Sequence, residues 1–260
     1  MRQITEAEEL RTIQKNILDN IVEFCDKNHI QYSLAGGTLI GALRHKGYIP
    51  WDDDIDLYMM RKEYERFATL YKDENGVYEL LTPGCGKEYL YTFGKVIDNR
   101  TLMIEEGVEG FQLGVNVDIF AIDYVKDDMK TRNRQFYMKR LLLKIRRCKM
   151  SKTNYLHSKL AFYCYKYLFI PLSSINWLLN HYVFFGKPSQ YVCDMHNAGI
   201  DPSMAFSSKA FSDTVKVEFE GKRYDALTGY DEYLTKTYGN YMQMPPIEQR
   251  YHHHFKAFWK

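Results

Sequence analysis

The chain of 260 residues is 45% hydrophobic and 15% aromatic with a net charge of +2, which suits one large domain or a catalytic core with a smaller lobe and excludes a disordered chain. Its five cysteines, Cys25, Cys85, Cys148, Cys164 and Cys193, include no C-x-x-C pair; this argues against a zinc site or disulfide framework and for a reducing compartment. No apolar signal core opens the chain and no run of about 20 apolar residues follows, so a cytoplasmic protein without a spanning helix is expected.

In chain order, Thr5-Glu6-Ala7-Glu8 suggests a capping box ahead of an amphipathic helix over roughly 5–28, in which Ile13, Ile17, Ile21, Phe24 and Cys25 recur at helical spacing. Gln31 to Leu34 forms a short strand running into Gly36-Gly37, and Thr38 to Arg44 a helical turn leaving the glycines. Gly47 and Pro50 break the chain. Trp51 to Met59 predicts a second strand, and Arg61 to Tyr71 a helix. Tyr91 to Phe93 with Lys95 to Ile97, and Val115 to Phe120, predict further strands. Residues 129–190 are expected to be helical, basic at first and then aromatic. Val215 to Phe219 and the turn after it predict a hairpin, and Tyr230 to Tyr238 a short helix. The fold class is α/β (α+β), a mixed sheet core with flanking helices and an added helical segment. The expected parts are a catalytic core over 1–128, a basic and aromatic helical segment over 129–190, and a C-terminal segment, 191–260, packing back on the core.

Charge is unevenly placed. Met129 to Cys193 holds 13 Lys or Arg and no Asp or Glu, leaving 22 basic against 33 acidic residues elsewhere. Such a stretch is either a solvated helical face around a core stripe of Leu141, Leu142, Leu143 and Ile145, or a surface for an anionic membrane or a phosphate-rich acceptor. No nucleic-acid-binding module is present to make nucleic acid the partner.

The strongest signal is Trp51-Asp52-Asp53-Asp54-Ile55-Asp56-Leu57. On a strand, alternation puts Asp52, Asp54 and Asp56 on one face, with Asp53 on the other among apolar neighbours. Three parallel carboxylates repel one another unless a cation sits among them, and an all-oxygen set suits Mg²⁺ or Mn²⁺. A solvated acidic turn is the plain alternative. A calcium loop is another, since Asp52, Asp54, Asp56 and Glu63 match its spacing, but Leu57 stands where that loop needs glycine. Gly36-Gly37 ahead of the acidic strand allows close approach of phosphate to a helix N-terminus. The order resembles the core motif of nucleotidyltransferases, at a somewhat long spacing. That superfamily uses a third carboxylate on a later strand; Asp118, between Val117 and Ile119, is the candidate. Asp123 has the opposite parity and fits turn chemistry.

The run L-A-G-G-T-L-I-G-A-L-R-H-K-G-Y-I-P-W-D-D-D-I-D-L, Leu34 to Leu57, resembles the signature of the LicD family, which includes bacterial phosphorylcholine transferases and is related to fukutin-type sugar-phosphate transferases. V-D-I-F-A-I-D at 117–123 agrees, apart from Ala121 where proline is usual. So does Y-D-E-Y-L-T-K-T-Y-G-N-Y-M-Q-M-P-P at 230–246, with Arg250 and His252 to His254 beyond. The resemblance implies metal ligation by Asp54, Asp56 and Asp118 with Asp52 close by, and donor-phosphate contact by Gly36, Gly37 and Thr38. Arg44, His45 and Lys95 lie near the same motifs, and Tyr48, Trp51, Tyr89 and Tyr91 are available as an aromatic substrate wall. It further implies Mg²⁺ (or Mn²⁺), a nucleotide-diphospho donor such as CDP-choline, and a glycan or lipid-linked glycan acceptor. A true nucleotidyltransferase and a non-catalytic calcium- or membrane-binding adaptor remain as alternatives.

Overall fold

The computed structural model describes residues 1–83, 89–105, 113–151, 154, 156–184, 187–196, 200–250 and 255–260, without the side chain of Gln249. The chain divides into two compact units, 1–121 with 209–260 and 122–208.

The first unit opens with β1 (Arg2–Ile4) and α1 (Ala7–Asn28). Helix α1 buries Ile13, Ile17, Leu18, Ile21 and Cys25, the stripe its periodicity predicts, and ends on His29 at φ 52°. The expected capping box does not form. Glu6 occupies the N-cap with no side-chain bond, because β1 fixes the entry and Glu9 turns instead to Arg2 and to Trp259 Nε1 at 2.9 Å.

Next come β2 (Ser33–Leu34), α2 (Gly36–His45), β3 (Asp56–Met60), α3 (Arg61–Leu70), β4 (Tyr78–Leu81), β5 (Gly94–Asp98), β6 (Thr101–Glu105) and β7 (Asn116–Val125). The main sheet runs β2-β3-β7-β5-β4. Asp118 N donates to Ile55 O at 2.9 Å, tying β7 to the residue just before β3. Every residue of β5 is buried.

Strand β7 is ten residues long. Residues 116–119 pair with β5 in the first unit, and 122–125 pair with β8 (Tyr191–Asp194) in the second. The second unit also contains α4 (Met129–Met150), α5 (Lys159–Lys166), α6 (Leu172–Leu178), a π turn at 179–184 and β9 (Phe206–Ser207). Asp128 caps α4, accepting from Thr131 N at 2.7 Å, and Ser158 caps α5. Phe136, Leu142, Leu143, Ile145, Ile175, Leu179 and Val183 form its core. The charge of α4 is not simply a solvated face. Arg132, Lys139 and Arg146 are buried. Arg132 Nε donates to Lys126 O at 2.7 Å, Lys139 Nζ to Ile200 O at 3.3 Å and Arg146 Nε to Asn176 Oδ1 at 3.2 Å.

The chain then returns to the first unit through the hairpin β10 (Thr214–Phe219) and β11 (Lys222–Leu227), helix α7 (Tyr230–Tyr238) and β12 (Phe255–Trp259). Strand β12 lies between β1 and β6 in a second, antiparallel sheet. Leu227 N donates to Ser33 Oγ at 2.9 Å, which fastens β11 to β2. The architecture is mixed α/β with flanking helices.

Candidate active site

The acidic run is not the strand that its alternation suggests. Residues 51–55 are irregular, and β3 begins only at Asp56. The cause lies in α1. Arg11 donates one guanidinium nitrogen to Ile49 O, Pro50 O and Asp52 O at 3.3, 3.1 and 3.1 Å, and Gln14 Nε2 donates to Asp53 O at 2.7 Å. These side chains take carbonyls that a ladder would otherwise use. Pro50, without an N–H, cannot join a ladder either. Asp53, expected on the opposite face, therefore joins its neighbours. Carboxylate oxygens of Asp52, Asp53 and Asp54 lie within 4.8 Å of one another.

Helix α2 aims its N-terminus at these carboxylates. A Cβ built on Gly37 would collide with Asp52 Oδ2, and one on Gly36 would lie 2.9 Å from Asp56 Oδ2 and 3.6 Å from the Tyr238 hydroxyl. Gly36 also has φ +50°, which side-chain-bearing residues rarely adopt. The glycine pair thus lets backbone and carboxylates share one small space. Thr38 Oγ1 accepts from Asp56 N at 2.9 Å, so that hydroxyl fixes the start of β3. From α7, the Tyr233 hydroxyl accepts from Gly36 N at 3.2 Å and donates to the Tyr58 hydroxyl at 3.3 Å.

Asp118 stands on β7, where Lys95 Nζ donates to its two oxygens at 2.6 and 2.9 Å and Asn116 Nδ2 donates to Oδ1 at 2.6 Å. Lys95 is buried and its ammonium lies 4.6 Å from the Tyr91 ring centroid. The acids act on one another. Burial pushes the Asp56 carboxyl well above the usual carboxylate range, and Asp54, Asp118 and Asp52 push it further, against Lys95.

The other expected residues fall in distinct places. Arg44 donates to Tyr241 O at 2.8 Å, Gln243 O at 3.3 Å and His45 Nε2 at 2.9 Å, so it holds the turn after α7. Burial, and then the Arg44 charge, lower the pKa of His45 and favour its neutral form. Tyr48 and Tyr89 are buried, with hydroxyls bonded to Gln14 Oε1 at 3.2 Å and Phe93 O at 2.8 Å. Trp51 and Tyr91 keep partly exposed rings, each beside a cation: Arg250 lies 4.4 Å from the Trp51 centroid. His252 to His254 lie outside the described residues.

Sequence reasoning missed Arg11, Gln14, Tyr58, Asn116, Tyr233 and Tyr238. The 230–246 block pointed toward the tyrosines without assigning them a role. Nothing local marks Arg11 or Gln14, which act on residues about forty positions later.

The donor set fits a hard divalent cation. It is all oxygen, crowded and of one charge, and the buried Asn116 Oδ1 beside Asp118 has no hydrogen-bond partner among the described residues.

A helix N-terminus bared by two glycines, with Asp52 and Asp56 packed against it and Asp118 acting on Asp56 from β7, defines the class: a fold of the nucleotidyltransferase type. The family described as LicD/FKTN/FKRP, nucleotidyltransferase domain, matches residues 29–179, more than half of the chain. The lipopolysaccharide cholinephosphotransferase LicD of Haemophilus influenzae is 32% identical over 98% of both chains. The chain belongs to the LicD/FKTN/FKRP family and is an enzyme, a LicD-type phosphotransferase. More distant similarity, 33% and 35% identity over 99 and 95 residues, links it to the mouse and human ribitol 5-phosphate transferases FKRP, covering 15% and 14% of those proteins. Among the described residues, no helix is long and apolar enough to cross a membrane.

Proposed function

We propose that the chain transfers a phospho-substituent, phosphocholine from a CDP-choline-type donor, to a hydroxyl of a cell-surface glycan or lipid-linked glycan precursor. The observation that carries this reading is the packing of Asp52 and Asp56 against the glycine-paired N-terminus of α2, with Asp53 and Asp54 grouped beside Asp52. The activity for which the Haemophilus relative is named, lipopolysaccharide cholinephosphotransfer, supports donor and acceptor at 32% identity over nearly the whole chain.

In this reading, Asp52, Asp53, Asp54 and Asp56, with Asp118 beside them, hold Mg²⁺ or Mn²⁺. Such an ion, when bound, neutralises the diphosphate and the charge developing on the leaving phosphate. The residues do the remaining work. Gly36, Gly37 and the N-terminus of α2 admit phosphate oxygens to backbone N–H groups. Lys95 and Asn116 hold Asp118 in place. Asp52 or Asp118 accepts the proton of the attacking hydroxyl. The hydroxyl oxygen bonds to the choline-bearing phosphorus, the bridging P–O bond breaks, and CMP departs with the bonding pair. Arg250 and Lys95 already lie over Trp51 and Tyr91, so a quaternary ammonium would use only the remaining surface of these rings.

The experiment is a thermal-shift screen of nucleotide-diphospho donors with and without Mg²⁺ or Mn²⁺, followed by product analysis. Stabilisation by CDP-choline only with metal, and CMP as product, is expected. Pyrophosphate as product would make the chain a true nucleotidyltransferase. A response to Ca²⁺ alone, with none to any donor, would make it an adaptor.

A further inference from the structure

Helix α5 presents the wrong side to water. Leu160, Tyr163 and Tyr167, three and four residues apart, fall on one face and are 75%, 51% and 74% exposed. The inward face holds Phe162, which is buried. A helix packed on a core by one face normally shows polar residues on the other. The apolar stripe continues past the helix into Leu168 and the fully exposed Phe169. Contiguous apolar exposure of this kind marks a surface that is covered in use.

The corner is built, and cations build it. Lys149 Nζ donates to Leu168 O at 2.6 Å and Lys166 Nζ to Ser151 O at 2.9 Å, tying the C-terminal end of α5 to the end of α4. Tyr163 and Tyr167 stack with ring planes 7° apart. Lys144 and Lys159 are exposed nearby in sequence and packing, Lys144 lying 5.5 Å from the Tyr165 ring centroid. No Asp or Glu occurs anywhere from 129 to 193.

We propose that this corner, Leu160 to Phe169, is a docking wedge for the surface of an anionic lipid bilayer. Two features select that occupant. Exposed aromatic and aliphatic side chains above lysine ammonium groups match the boundary between acyl chains and anionic headgroups. A second copy of the chain meeting the same face would set lysines against lysines with no acid to offset them. The wedge deepens the acceptor part of the proposed function, since a lipid-linked acceptor is presented at a bilayer. It stands on the second unit alone and is tested without substrate, so its failure leaves the transferase reading intact.

The full chain is sedimented with vesicles of phosphatidylcholine alone, and of phosphatidylcholine containing about 30% phosphatidylglycerol. The expected result is binding to the anionic vesicles, about tenfold weaker in the double variant Leu168→Ser/Phe169→Ser. Binding also falls in Lys144→Gln/Lys159→Gln and in raised salt. These side chains are exposed, so an unchanged melting temperature separates lost docking from lost fold. Absence of binding by the unaltered chain, or equal binding by the wedge variant, overturns the proposal. So does a wild-type dimer that the wedge variant converts to monomer, since a second copy would then be the cover.

Discussion

Two regions of this protein crowd charge of one sign, and they treat it differently. In the second unit, three cations of α4 are taken inside the fold, each to its own partner. Arg132, Lys139 and Arg146 are buried against carbonyl and amide oxygens, and Arg132 and Lys139 also lie over the rings of Tyr191 and Phe136. In the first unit, the acids at 52–56 are turned on one another, so that Asp54, Asp118 and Asp52 all push the Asp56 carboxyl upward. What α1 satisfies there is the backbone of the loop, through Arg11 and Gln14. The lesson is that a run of like charge points to a ligand where the fold gathers the charges into one place and not where it disperses them among separate buried contacts.

That contrast can be broken first at the carboxylates. Asp54→Asn combined with Asp56→Asn is expected to cut transfer by at least about 10³-fold, with a melting temperature unchanged or raised because repulsion is relieved. Turnover retained within tenfold of wild type would show that the acids are not the centre. Next, Gly37→Ala places a methyl against Asp52 Oδ2 and is expected to lower turnover by roughly 10²-fold. Gly76→Ala is the control, a positive-φ glycine with open space around it; it should cost about 1 kcal/mol of stability and leave activity alone. Equal behaviour of the two variants would sink the idea that close packing at Gly37 serves the site.

Arg11→Ala tests whether the loop's shape is imposed by α1. Loss of a donor to three carbonyls should cost about 1–3 kcal/mol in unfolding measurements and about tenfold in turnover, although Arg11 has no assigned substrate contact. A stable, fully active Arg11→Ala protein would return the loop's shape to its local sequence. The remaining effect is in the second unit and touches stability alone. Burial lowers the pKa of Lys139 from its ordinary 10.5 to about 8. The folded state therefore gives up its proton first on raising pH. The cost of the buried charge is fully present below pH about 8, and stability relative to Lys139→Met rises between about pH 8 and 10.5, by up to about 3 kcal/mol. Denaturation curves of the two proteins that stay parallel across that window would mean Lys139 is not held in this way.

The sequence made the local features legible. The α1 stripe, the hairpin at 214–227 and α7 follow from periodicity and turn chemistry, and the Gly-Gly and acidic motifs are contiguous. The acidic run's conformation was not legible, because alternation assumes a ladder and Arg11 and Gln14 remove it from a distance. Asp123 was read as turn chemistry, yet it lies buried in β7, 3.9 Å from His196; a long strand shared by two units cannot be inferred from six β-prone residues. Aromatic residues carried the least information. Tyr48 and Tyr89 are core while Trp51 and Tyr91 are half exposed, a difference set by what packs over each ring.

The bond from Gly36 N to the Tyr233 hydroxyl joins residues 197 apart. It has a consequence for the order in which the enzyme is made. On the ribosome, the glycine turn and the acidic loop emerge well before the tyrosine that fastens the turn, and β1 well before β12, with which it pairs. Contacts of such long sequence separation close slowly and late. A nascent chain therefore carries the whole acidic motif while its active site is still unfinished, and competence waits for α7 and β12.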